Sequence, residues 1–70
     1  MKSTFMANEF HHVSVELDAQ TSKCHVAVRD ERVEPVFRGT LDLNTYNDVV
    51  AFVRQNDHIY VINMLNQRYG

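Results

Sequence analysis

Two segments of this chain alternate between apolar and polar residues with the period of a half-buried β-strand. They span residues 11–18 and 23–29, and a short, mostly polar stretch separates them. The side chains that share the apolar face are Val13, Val15, Leu17, Cys24, Val26 and Val28. The sequence therefore predicts a β-hairpin whose apolar face is turned towards a core.

The two predicted strands also specify their own register. A short turn places Val15 opposite Val26 on the apolar face and Glu16 opposite His25 on the polar face. Shifting one strand by one residue would turn all of its apolar side chains towards solvent. We therefore expect this register and not a neighbouring one.

Residues 33–43 continue the alternation and predict a third strand. Its inward positions are Val33, Pro35, Phe37, Gly39, Leu41 and Leu43. Because proline has no N–H to donate to a neighbouring strand, Pro35 favours a place at the edge of the sheet.

The next segment changes to a helical period. Its apolar side chains follow the spacing i, i+3, i+4, i+7, and they are Tyr46, Val49, Val50 and Val53. Thr45 or Asn44 can serve as the N-cap, and the polar residues 55–57 predict the end of the helix. We expect the apolar stripe to pack on the sheet.

Residues 58–65 are rich in β-branched and aromatic side chains and predict a fourth strand. A second helix is the alternative, because residues 63–68 have a composition that a helix accepts. The strand interpretation gives a single α+β domain over residues 1–70 with the element order β-β-β-α-β. A right-handed crossover then produces a mixed sheet of order 4-1-2-3 with one helix on one face. We expect residues 1–8 to fray.

Charge and cysteine content exclude several classes of protein. The net charge of −2 gives no bulk attraction to nucleic acid or acidic membranes. The single cysteine, Cys24, cannot form an internal disulfide, which favours a reducing compartment. No apolar stretch is typical of a signal peptide or a transmembrane helix. We expect a cytoplasmic protein without membrane contact.

The candidate ligands and nucleophiles do not form a recognisable reactive site. They are His11, His12, His25, His58 and Cys24. Adjacent residues of a strand point to opposite faces, so neither adjacent pair among them can chelate one ion. The neighbouring carboxylates Asp30 and Glu31 are expected to be solvated in a turn. We therefore expect no enzyme activity, no metal and no cofactor.

Basic side chains gather on the polar face of the predicted sheet. The expected register places Lys23 opposite Arg38, and Arg29 near Arg32 across a turn. Like charges paired on a sheet lower stability, and an anionic partner such as nucleic acid would relieve the repulsion. The first three strands place no aromatic on this face, although single-strand binders stack bases on aromatics. Lys23, Arg29 and Arg38 carry the nucleic-acid alternative.

The predicted fourth strand is apolar on both faces, and one helix can cover only one of them. Exposed apolar patches of this kind mark interfaces. We therefore expect a homodimer, or contact with another protein, through Tyr60, Ile62 and Met64. The alternative is that the N-terminal segment folds back over these side chains.

These observations favour a small non-catalytic protein–protein interaction or regulatory module. In size and character the chain is comparable to inhibitors and adaptors of phages and mobile elements, although no motif identifies a family. The second hypothesis is a nucleic-acid-binding regulator that uses the basic sheet face.

Overall fold

The chain forms an antiparallel sheet with helices on one side. The computed structural model describes residues 2–33 and 36–70. The four strands and two helices within these ranges are β1 (Lys2–Met6), β2 (His11–Asp18), β3 (Lys23–Asp30), β4 (Val36–Leu41), α1 (Leu43–Gln55) and α2 (Val61–Tyr69). The strand order is β1-β2-β3-β4, and each neighbouring pair is antiparallel. The α+β class is confirmed, whereas the order 4-1-2-3, the mixed sheet and the single helix are wrong.

The central hairpin, β2 with β3, has the predicted register. Val15 pairs with Val26, and Glu16 pairs with His25. The buried side chains of this hairpin's apolar face are Val13, Cys24, Val26 and Val28. The matched alternation of the two segments was therefore sufficient to predict both the pairing and the face that packs.

β4 lies at one edge of the sheet, as predicted for the segment that contains Pro35. Phe37 and Leu41 face the core, with Gly39 between them. A Cβ atom on Gly39 would lie 3.3 Å from the Phe37 ring, so glycine allows that ring to approach the strand closely. Glu34 and Pro35 themselves lie outside the described residues.

The other edge is β1, which contains residues that we expected to fray. In β1, Thr4 lies opposite Ser14 of β2, and Phe5 lies opposite Val13. The place beside β2 that was predicted for residues 58–65 is therefore occupied by the N-terminal segment. A short loop suffices for this antiparallel pairing, whereas the predicted parallel pairing needed a crossover.

Residues 58–65 do not form the predicted strand, and the helical alternative is correct from residue 61 onwards. α2 buries Val61, Ile62 and Leu65 on one stripe against β3 and β4. The N–H of Gly70 closes its last turn by donating to the Asn66 carbonyl over 3.0 Å. A strand would have left one apolar set exposed, whereas the helix buries three of these side chains in the core.

α1 forms where the helical stripe predicted it. Val49, Val50 and Val53 are buried, and the helix ends at Gln55. The N-cap is Asp42 and not Thr45 or Asn44, because the Asp42 carboxylate accepts the Thr45 N–H over 2.7 Å. The helix consequently begins at Leu43, which was predicted to end a strand.

The core lies between the inner face of the sheet and the two helices, and its cover is incomplete. Leu17 and Leu43 were both predicted to face the core, but they are 53% and 57% exposed. Leu17 lies near the end of β2 and Leu43 opens α1, so neither is enclosed between sheet and helices. No helix in the described ranges is long and apolar enough to cross a membrane.

We predict that Val50→Asp lowers the free energy of unfolding by about 3 kcal/mol, because it buries an unpaired charge in the core. Leu43→Asp is the matched control, since Leu43 is 57% exposed on the same helix and lies outside the buried valine stripe. That control should change stability by less than about 1 kcal/mol. Urea unfolding of both variants at equal protein concentration provides the measurement. Equal losses in the two variants would contradict the packing of α1 through its valine stripe.

We also predict that the Cys24 thiol reacts slowly with a disulfide reagent in the folded protein. Only 2% of Cys24 is exposed, so the reagent must wait for an opening of the core. Labelling should become fast once urea unfolds the chain. Fast labelling in native buffer would show that the core opens readily around β3.

Candidate functional site

A buried polar network joins three loops of the fold. His11 and Asp30 are opposite one another in the β2–β3 pair, and both are fully buried. His11 Nε2 lies 3.0 Å from Asp30 Oδ2, although the two atoms do not form an aligned hydrogen bond. On its other side, His11 Nδ1 lies 2.8 Å from Asn8 Oδ1. An amide oxygen only accepts, so Nδ1 carries the proton.

Asn8 connects this network to the helices. Its Nδ2 donates to the Val53 carbonyl over 2.7 Å, near the end of α1. Its Oδ1 accepts the N–H groups of Phe10 and His11, each over 3.0 Å. One side chain therefore organises the β1–β2 loop and satisfies a terminal carbonyl of α1.

Arg32 completes the network from the β3–β4 loop. Its Nε and Nη2 donate to the two carboxylate oxygens of Asp30 over 3.1 and 2.9 Å. Nη2 also donates to the Asp57 carbonyl over 2.7 Å, in the segment that joins α1 to α2. The guanidinium carbon lies 3.8 Å from the ring centre of Phe10. Arg32 thus ties β3 to both the first loop and the helical segment.

The charge states follow from these contacts. Hydrogen bonds from Arg32 hold the pKa of Asp30 below its ordinary value, so Asp30 is an anion. Burial lowers the pKa of His11, although the Asp30 carboxylate opposes part of that shift. Because His11 and Asp30 are sealed from solvent, no substrate can reach them. The solvated Asp30 predicted from the sequence is wrong: Asp30 ends β3 and is buried.

The other candidate ligands are dispersed. His12 bonds Glu31 over 2.6 Å, and His25 bonds Thr40 over 3.1 Å, both on exposed positions. His58 Nδ1 accepts the Tyr60 N–H. Among residues 2–33 and 36–70, no three His, Cys, Asp or Glu side chains are placed to hold a metal ion. Cys24 lies at the opposite end of the β2–β3 pair from the His11–Asp30 contact.

The side of the sheet without helices is an exposed surface on which basic side chains gather, and we name it the outer face. It consists of the even-numbered residues of β1, β2 and β4 and the odd-numbered residues of β3. Its basic side chains are Lys2, Lys23, Arg29 and Arg38, and its acidic ones are Glu16 and Asp18. All three residues of the nucleic-acid hypothesis are therefore on one face.

The cross-strand neighbours of these basic residues differ from the predicted ones. Arg38 lies opposite Ala27, whereas Lys23 lies opposite Asp18 at one end of the sheet. The pairing of Lys23 with Arg38 is therefore wrong. Arg29 was also predicted to lie near Arg32, but the Arg32 guanidinium instead pairs with the Asp30 carboxylate. The structure instead brings Arg29 and Arg38 together at the rim of one shallow depression.

A groove beside α1, which we name the inner groove, is the second exposed surface. It has a volume of about 520 Å³ and lies between α1 and β1. Its apolar lining comes from Phe5, Tyr46, Val50 and Ala51, and its polar lining comes from Asn47, Arg54 and Gln55. No pattern in the sequence indicated this groove, because β1 was not predicted as a strand.

The three residues of the predicted interface are separated by the helical conformation. Ile62 is fully buried in the core, so it cannot contact a partner. Tyr60 and Met64 are 56% and 37% exposed. They are one helical turn apart, since the Met64 N–H donates to the Tyr60 carbonyl. Two of the three residues therefore remain together as an exposed apolar pair on α2.

Comparisons of this chain with protein-family models, curated proteins and solved structures found no match. Inferences about function therefore depend on the surfaces described above.

We predict that the free energy of unfolding falls as the pH drops from about 7.5 to 5.5. The pKa of His11 is lowered in the folded protein, so the unfolded chain binds the proton first as the pH falls below 6.5. The pKa of Asp30 is also lowered, and its contribution is lost only at more acidic pH, as the pH falls through the folded pKa. Chemical unfolding across this range provides the measurement.

Two variants test whether His11 causes this pH dependence of the free energy of unfolding. His11→Gln should be less stable than the parent at pH 7.5 but should lose most of the dependence between pH 7.5 and 5.5. His58→Gln replaces an exposed histidine and should keep the slope of the parent protein. An unchanged slope in His11→Gln would show that another group causes the effect.

Proposed function

We propose that this protein is a small non-catalytic module that acts through protein–protein contact and that its partner is a second copy of the chain. The observation that carries the proposal is the inner groove, whose apolar side chains the chain's own helices leave partly uncovered. Apolar surface of this kind is characteristic of interaction sites. The buried polar network offers no accessible chemistry, which makes binding the better-supported class of function.

The groove is open because the helices lie towards one side of the sheet. α1 and α2 pack mainly on β3 and β4, so the inner face of β1 is covered only in part. Phe5 of β1 remains half-buried beneath Arg54, whose guanidinium carbon lies 5.6 Å from the ring centre. Ala51 has a small side chain on the groove wall and leaves room for a larger one.

The same chain supplies side chains that suit this groove. Tyr60, which precedes α2, and Met64 of α2 are both partly exposed to solvent. An aromatic ring and a flexible thioether are side chains that fill apolar grooves well. α2 packs on β4, whereas the groove lies on the β1 side of α1, so one copy cannot close this contact by itself.

A two-fold arrangement would satisfy both copies at once. Each chain carries the groove and the Tyr60–Met64 pair, so a symmetric dimer buries two identical contacts. A stable interface takes about 800 Å² from each partner, which is roughly a sixth of the 4552 Å² surface of one copy. Such burial would also add stability to a chain of only 70 residues.

The test is the molar mass of the protein in solution across a range of concentrations, measured by light scattering and sedimentation equilibrium. We expect a dimer for the parent protein. Exchanging Tyr60 and Met64 together for lysine should give a folded monomer, because both side chains are exposed. Ala51→Arg should also give a monomer, because the larger side chain would fill the groove that receives Tyr60 and Met64 of the second copy.

Val36→Lys is the matched control. Val36 is 41% exposed and lies on the outer face, so the same change of chemistry should leave the dimer intact. A parent protein that is monomeric at every concentration would contradict the proposal. A dimer that survives both the double variant and Ala51→Arg would also contradict it, because the contact would then lie elsewhere.

A further inference from the structure

We propose that the outer face binds the phosphate backbone of double-stranded nucleic acid without reading its sequence. This inference concerns the opposite side of the molecule from the inner groove and does not depend on self-association. Its first support is the distribution of charge. The outer face carries four basic and two acidic side chains. The other described residues carry three basic and six acidic ones. One of these acids, Glu31, bonds His12 of the outer face over 2.6 Å, and even with Glu31 counted the outer face has more basic than acidic side chains.

The second support is that two arginines of this face are available. Within residues 2–33 and 36–70, neither Arg29 nor Arg38 has a carboxylate oxygen within 4.0 Å. The acidic Asp18 is already engaged, because its carboxylate accepts the backbone N–H groups of Gln20 and Thr21. The charge of the two arginines is therefore not cancelled by a neighbouring contact.

The third support is the shape of the surface between them. Ala27 lies directly opposite Arg38, and Ser14 lies directly opposite Ala27. These small side chains form the floor of the shallow depression, and Arg29 and Arg38 stand at its rim. Thr4 adds a second hydroxyl, which bonds Ser14 over 3.2 Å. Arginines and hydroxyls are the groups that proteins use to contact phosphate and sugar oxygens.

The composition of the outer face separates duplex from other anionic partners. Along the described strands this face carries no Phe, Tyr or Trp side chain. Single-strand binders need such rings to stack bases, whereas contact with a phosphate backbone does not require them. A duplex presents its phosphates outside, so it can be bound through charge and hydroxyl contacts alone. The partner that fits best is therefore the backbone of a duplex.

The expected strength follows from the number of charges. Two to three phosphates neutralised by this face would give a slope of log K against log salt of about −2 to −3. Binding of this kind is weak, with dissociation constants of about 10⁻⁴ to 10⁻⁶ M at physiological salt. It should be equal for duplexes of different sequence, because the bases are not contacted.

The test uses fluorescence anisotropy of a labelled DNA duplex with the 70-residue chain at several salt concentrations. Arg29→Gln and Arg38→Gln should each weaken binding at low salt and reduce the size of the salt slope by about one. Arg68→Gln is the matched control, because it removes the same charge from an exposed position on α2. The control should bind like the parent, and circular dichroism should show all variants folded.

Three unlabelled competitors distinguish the classes of partner. The unlabelled duplex should displace the probe better than a single strand of equal length and better than poly-L-glutamate. Stronger competition by the single strand would overturn the duplex assignment, and stronger competition by poly-L-glutamate would point instead to an acidic protein surface. No binding at low salt, or equal losses in Arg68→Gln and Arg38→Gln, would overturn the proposal altogether. The double lysine variant of Tyr60 and Met64 should still bind, which keeps this test separate from that of self-association.

Discussion

The contact between His11, Asp30 and Arg32 holds this fold together, because it is the place where strands, loops and helices meet. Two fully buried ionisable side chains are expensive in a core unless their polar atoms are occupied. Here Arg32 satisfies both oxygens of Asp30 and Asn8 accepts the proton of His11, whereas His11 Nε2 has no hydrogen-bond partner among the described residues. The same two partners reach onward to the end of α1 and to Asp57. The position of the helical layer on the sheet is thereby fixed through hydrogen bonds as well as through apolar packing.

The regular part of the fold could be predicted from the sequence, because its signals repeat along the chain. The alternation of residues 11–18 and 23–29 determined the central register, and the valine stripe located α1. Residues 58–65 were wrongly predicted as a strand, because their β-branched and aromatic residues are compatible with a strand as well as with a helix. β1 was missed because its residues are mostly exposed, so no apolar pattern marks them. For residues 58–65 the deciding factor was which conformation buries apolar surface in the finished fold, which is a property of the whole chain.

For the outer face, the sequence predicted which residues share a face of the sheet but not which residues lie beside one another. Strand parity placed Lys23, Arg29 and Arg38 together on the outer face, but pairing Arg38 with Lys23 required a register between β3 and β4 that is wrong. Parity survives a shift by an even number of residues, whereas the identity of the opposite neighbour does not. The buried network could not be predicted, because nothing local distinguishes Asp30 from a solvated turn carboxylate. The inner groove depends on β1 and α1 together, which no short segment encodes.

The order of the strands has a further consequence for how the chain reaches its native state. Every strand pairs with its neighbour in the chain, so the sheet grows through successive hairpins. Chains dominated by such local pairings have low contact order and fold faster than chains that must close long loops first. The predicted order 4-1-2-3 would have required the C-terminal segment to cross the sheet before its last strand could pair. In the observed arrangement the C-terminal segment instead adds a helix to a sheet whose strands can already be paired, so the slowest kind of loop closure is avoided.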